Sequence, residues 1–248
     1  MTGDEWARST DPWLMIEYLK SGRRVTDRKA RLLACGLLRR FADWLADEAL
    51  DAVKVAEQYA DGRAGPDQLA AAAAEVWVGV QEDSERHWSE GPNRFGPVTR
   101  VLHRDVDLES LFDYGYEVID RDATGGIDRW YHPEWNDQGR ERDREELVRR
   151  VLAAREREGA FQAALVRELF GDPFRPSRLR PGAACLRTDA VRLLARWIDD
   201  RQDFSAMPIL ADALEEAGCD DQDLLDHCRH GRSHARGCWA LDLVLGRE

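Results

Sequence analysis

Over most of this chain apolar residues recur at spacings of three and four, the pattern of helices that bury one face and leave the other polar. Asp11-Pro12 reads as an N-cap with proline at the first helical position, and predicts a short helix from Trp13 to Lys20 that ends at Ser21-Gly22. Thr26-Asp27 opens a longer one in which Leu33, Leu37, Phe41 and Trp44 form the apolar stripe, with Cys35 off it. Val53, Ala56 and Tyr59 keep the spacing to Gly62, and Gly65-Pro66 restarts a helix through the alanine run from Ala70 to Ala74. Farther along, Leu147, Val151 and Ala154 give a narrow apolar edge to a charged helix over Arg140 to Arg157. Phe161, Leu165 and Leu169 mark the next helix, which Gly171 stops, with Pro173 just beyond. Thr188 caps a helix carrying Val191, Leu194, Ala195 and Ile198, and Ile209, Leu210, Ala213 and Leu214 mark another that Gly218 ends. Asp220 and Asp221 start a short acidic helix, and Cys238 to Leu245 predict the last one.

The helical pattern lapses between residues 81 and 138, where Gly91, Pro92, Gly96, Pro97, Gly125, Gly126 and Pro133 interrupt the chain. Tyr114, Tyr116 and Val118, then Ile127, Arg129 and Tyr131, alternate by two around a glycine pair, which predicts a small β-hairpin between 114 and 131. Asp120 to Asp128 also spaces oxygen-bearing side chains like a calcium loop, but Tyr131 stands where a bidentate glutamate is required, so the hairpin is favoured. The expected fold is mainly α, a multi-helix, bundle-like domain. Residues 1–80 and 139–248 pack as one framework, and 81–138 form an irregular insert that holds the hairpin.

A chain of 248 residues buries a core without disulfide or metal staples. Its five cysteines are an odd number, which fits reduced thiols, and Asp4, Glu5 and Asp11 stand where a secretory leader requires a basic and then an apolar stretch. No apolar run approaches the roughly 20 residues of a membrane span. The expected compartment is the cytoplasm. A net charge of −12 makes nucleic acid and anionic lipid poor partners for the surface as a whole.

The stretch PILADALEEAGCDDQDLLDHC with HARGCWALDLVLGRE, from Pro208 to Cys228 and His234 to Glu248, resembles the C-terminal end of a bacterial protein family without assigned activity. DRKARLLACGLLRR and AVKVAEQYADG, from Asp27 to Arg40 and Ala52 to Gly62, look like its N-terminal part, and GDPFRP, from Gly171 to Pro176, like a connecting motif. These segments cover about half of the chain and leave the middle unmatched. The resemblance implies a helical framework around a variable insert, and brings no catalytic residue, cofactor or partner with it.

Candidate chemistry gathers near the C-terminus, where Cys219, His227, Cys228, His230, His234 and Cys238 lie within twenty residues. Thiolate and imidazole are the ligands zinc prefers. Cys219 would stand roughly 13 Å from Cys228 along a helix, which removes it and leaves Cys228, His230, His234 and Cys238 in a spacing unlike familiar zinc motifs. Cys228 shares the face of Leu224, and Cys238 that of Leu241 and Leu245, so buried thiols without metal are favoured and no cofactor is expected. Arg229, Arg232 and Arg236 could bind an anion at the start of the last helix, although pairing with acidic residues such as Asp212, Glu215 and Asp226 is favoured. Trp130, Tyr131, His132 and Trp135 fit either a recognition surface or a small satellite core. His87, His103, Asp105 and His132 are the best acid–base set, yet no nucleophile elbow, phosphate loop, dinucleotide fingerprint or metalloprotease motif accompanies them. The expectation is therefore a non-catalytic module that binds another macromolecule, a protein by preference. The alternative is an enzyme or metal-dependent module using the C-terminal His/Cys/Arg segment.

Overall fold

The structure, a computed structural model, describes residues 1–86, 95–103, 106, 108–124, 140–179, 182–230 and 233–247. Among them the chain forms twelve α-helices and no strand, with short 3-10 turns between some of the helices. In order these are α1 (Gly3–Arg8), α2 (Pro12–Ser21), α3 (Asp27–Arg39), α4 (Asp47–Ala60), α5 (Pro66–Arg86), α6 (Gly96–Leu102), α7 (Leu108–Thr124), α8 (Arg140–Phe170), α9 (Asp189–Arg201), α10 (Met207–Glu216), α11 (Gln222–Arg229) and α12 (Trp239–Leu245). No helix is long and apolar enough to cross a membrane among the described residues.

Local chemistry sets the helix starts. Asp11 Oδ1 accepts from the amides of Trp13 and Leu14 at 2.9 and 3.2 Å, Thr26 Oγ1 from Lys29 at 3.2 Å, and Thr188 Oγ1 from Val191 at 3.4 Å. The stops at Gly62, Gly171 and Gly218 have φ of +69°, +68° and +83°, the left-handed region in which glycine carries no steric penalty.

The apolar stripe read behind Thr26 is broader and shorter in the fold. α3 is buried on nearly all sides, so Cys35, off the expected stripe, is 1% exposed. The helix ends at Arg39, which leaves Phe41 buried beyond its end and Trp44 38% exposed. α8 is a single helix of 31 residues where two were expected. Gly159 in its middle does not break it. A Cβ there would lie 2.7 Å from the Thr10 carbonyl oxygen and 2.8 Å from the Tyr116 hydroxyl, so the glycine lets neighbouring chain approach.

The hairpin needs the larger correction. Tyr114, Tyr116 and Val118 lie in α7, where Leu108, Leu111, Phe112 and Val118 share a buried helical face, and the two-residue alternation was incidental to it. The second arm, Ile127 to Tyr131, falls outside the described residues, as does the end of the calcium-like loop; Asp120 belongs to α7 and accepts from Arg155 Nε at 2.7 Å. Within residues 81–138 the described part also includes α6, whose Val98, Val101 and Leu102 are buried.

Buried apolar side chains fall into two clusters. The first runs from Trp6 to Leu169 and takes in α1 to α8; the second runs from Cys185 to Val244 and takes in α9 to α12. Ionic contacts join them. Arg28 binds Asp61 through Nε at 3.0 Å and Asp242 through Nη1 at 2.7 Å, Arg236 Nε donates to Asp61 Oδ2 at 2.7 Å, and Arg63 Nη2 reaches Asp200 Oδ1 at 2.9 Å. Lys29, 8% exposed, extends from α3 to the Leu169 carbonyl at 2.8 Å, the Gly237 carbonyl at 2.6 Å and Asp242 at 2.5 Å. These bonds fix the end of α8 and the turn before α12 against α3, which positions the residues described next.

Candidate metal centre

Glu168 stands in the last turn of α8 among Leu165, Val166 and Leu169, and is 5% exposed. A carboxylate in such a place needs partners, because an uncompensated buried charge is strongly unfavourable. Two come from the C-terminal segment. Asp221 Oδ1 caps α11 by accepting from the Leu224 amide at 3.1 Å, and the register this sets puts His227 on the face of Leu224, turned toward α8. The chain then returns through His234 to Gly237, whose φ of +85° turns it into α12 with Cys238 as the cap residue.

The four groups converge. His234 Nδ1 is 3.0 Å from Glu168 Oε1, and His227 Nε2 is 3.4 Å from Glu168 Oε2. Cys238 Sγ lies 3.2 Å from His227 Nε2 and 4.0 Å from His234 Nδ1. One ligand atom from each residue lies within 4.8 Å of all the others. The Glu168 and His234 side chains are each 4% exposed, that of His227 is 11% exposed, and Cys238 is fully buried. The imidazole rings meet edge to face at 5.1 Å between centroids, and Trp239 packs on His227 at 5.0 Å.

Charge in this pocket is unevenly balanced. Burial by itself would raise the Glu168 carboxyl, but the hydrogen bonds from His227 and His234 outweigh it and hold the group at about 2. Burial pushes the Cys238 thiol well up, and the neighbouring Glu168 carboxylate pushes it further. The Glu168 carboxylate and the Cys238 thiol thus sit side by side in a buried pocket. A divalent cation would draw the thiol to thiolate, and carboxylate, thiolate and cation would then sum to zero.

The sequence set and the structural set overlap by half. His234 and Cys238 are present. Cys228 packs into the second core with its thiol pushed up to about 12, chiefly by burial, and it contributes no ligand atom to the cluster. His230 lies past the end of α11, exposed, with Nδ1 2.8 Å from the Asp226 carbonyl oxygen. His227, from the same C-terminal run of cysteines and histidines, takes its place. The available signal was helical: His227 shares the buried face of Leu224, whereas His230 does not share a helix with it. Glu168 is far upstream and gave no local sign.

The anion candidates are held by carboxylates. Arg229 binds Asp212 at 3.3 Å and also pairs with Glu215, while Arg236 binds Asp61 and lies 3.7 Å from Glu57. Arg232 lies outside the described residues, as do Trp130, Tyr131, His132 and Trp135, and His87 and Asp105 of the acid–base set. His103 is exposed at the end of α6. Comparison of the chain with protein-family models, curated proteins and solved structures found no match, so its own geometry carries the functional reading.

Proposed function

We propose that this chain is a non-catalytic helical module, stapled by one zinc ion at Glu168, His227, His234 and Cys238, that works by binding another protein. The observation behind the metal reading is the convergence of four buried ligand atoms from α8, α11 and the turn before α12. Zinc takes sulfur at about 2.3 Å and nitrogen or oxygen at about 2.0 to 2.2 Å, so tetrahedral donors lie about 3.3 to 3.6 Å apart. The imidazoles stand 3.0 and 3.4 Å from the two Glu168 oxygens and 3.2 and 4.0 Å from Cys238 Sγ, and one ligand atom from each residue lies within 4.8 Å of the others, so a small contraction brings the set into that range. Four protein ligands leave no open position for substrate, so the ion serves to hold structure. Support for a partner comes from large apolar side chains that stay exposed, Trp77 and Val78 on α5 and Leu193 and Trp197 on α9.

A metal-free arrangement has its own observation. The Trp239 indole N–H donates to His227 Nδ1 at 3.2 Å, which makes Nδ1 an acceptor and places the ring proton on Nε2, toward Glu168. Zinc at Nε2 moves that proton to Nδ1 and breaks the Trp239 bond. Adding zinc to reduced, chelator-treated protein therefore shifts the Trp239 indole N–H resonance, identified by its loss in Trp239→Phe, with saturation near one equivalent. An unchanged resonance in excess zinc would establish the hydrogen-bonded arrangement instead.

A further inference from the structure

Ten residues before Glu168, about 15 Å along α8, the helix borders a separate cavity. It has a volume of about 370 Å³, is open to solvent on one side, and is bordered by α7, α8 and the end of α3. That is within the range of small-molecule sites, about 300 to 1,000 Å³. Arg150, Ala154 and Arg157 follow the i, i+4, i+7 spacing of one helical face, so two guanidinium groups flank a small residue that leaves room between them. Arg40 faces them from the end of α3, and Ile119 supplies an apolar wall from α7.

Two features of the polar groups call for a ligand. Arg150 and Arg157 have no ion-pair partner among the described residues, whereas Arg149 and Arg155 on the same helix pair with Glu146 and Asp120. Glu158, 1% exposed, lines the cavity, and its Oε2 has no hydrogen-bond partner; Arg40 Nε stands 3.8 Å away, and Gln162 donates only to the other oxygen, at 3.0 Å. Burial also raises the Glu158 carboxyl, which favours the protonated form able to donate to a ligand oxygen. The Arg40 guanidinium is braced over Phe161, 5.2 Å from its centroid, and is thereby held in place at the cavity wall.

We propose that this cavity binds a small organic phosphate monoester, with the phosphate between Arg40, Arg150 and Arg157 and the carbon part against Ile119 and Ala154. Guanidinium forks match phosphate oxygens bidentately, and several cations around one point suit a dianion better than a monocarboxylate. The site is distinct from the Glu168 cluster and does not depend on the metal reading.

Calorimetric titration of the full chain with phenyl phosphate, benzoate and inorganic phosphate at physiological salt tests it. Phenyl phosphate should bind one to one and at least about tenfold more tightly than either of the others, and Arg150→Ala/Arg157→Ala should weaken it about tenfold or more. Both arginines are exposed, so the double variant should keep its thermal midpoint. Lack of saturable binding, equal affinity for inorganic phosphate, or unaltered binding by the double variant would each overturn the proposal. A large fall in the double variant's midpoint without ligand would do so too, by showing that the arginines hold the protein's own structure.

Discussion

Replacing Lys29 by methionine removes the ammonium that ties both flanks of the Glu168 cluster to α3 while keeping most of the aliphatic stem. Three bonds disappear at once, to the Leu169 carbonyl beside Glu168, the Gly237 carbonyl beside Cys238, and Asp242. The side chain is only 10% exposed, so water does not replace it readily. Breaking a buried ion pair from one side costs about 3 to 5 kcal/mol, because the remaining charge is stranded. Asp242 is not left alone, since Arg28 still holds it at 2.7 and 2.9 Å, and the loss belongs at the lower end, about 3 kcal/mol. For a chain of this length that lowers the midpoint by about 6 to 12 °C. Urea denaturation of wild type, Lys29→Met, Asp242→Asn and the double variant gives both the loss and the coupling, which should exceed about 1 kcal/mol. A loss below about 1 kcal/mol, with no coupling, would refute the view that this lysine joins the two clusters.

Two further substitutions test other parts of the account. Gly171→Ala puts a Cβ at φ +68° and 3.2 Å from the Trp239 ring, and should cost about 1 to 2 kcal/mol in thermal unfolding; an unchanged midpoint would show that the end of α8 is looser than described. Glu158 has its folded-state pKa raised from 4.5, chiefly by burial, so the native state holds its proton longer than the unfolded chain and this group's contribution falls as pH rises above about 4.5. Glu158→Gln should therefore gain in midpoint relative to wild type between pH 4 and pH 7, and a relative loss over that interval would contradict the assignment.

Most helices could be read from the chain because their signals are local. Asp11, Thr26 and Thr188 cap the helices they announced, and Gly62, Gly171 and Gly218 stop theirs. What misled was tertiary in origin. Gly159 separates two apolar runs in sequence, yet α8 passes through it because α7 and the chain before α2 need the space. Tyr114, Tyr116 and Val118 alternate like a strand, but Leu111, Phe112 and Val118 bury a helical face, and packing outweighed the alternation. In the candidate site His234 and Cys238 were legible from residue type and proximity. His227 needed the helical register, and Glu168 needed the fold itself, since nothing in the 58 intervening residues links it to His227.

Zinc content decides the central claim most directly, measured by atomic emission on protein purified without chelator and again after reduction and reconstitution with zinc. The account predicts about one zinc per chain, retained in Cys228→Ser, whose thiol lies outside the cluster, and falling close to zero in both His234→Ala and Cys238→Ser. Wild-type protein that stays well below one zinc per chain even after reconstitution would contradict it, as would zinc that is lost from Cys228→Ser and kept by Cys238→Ser.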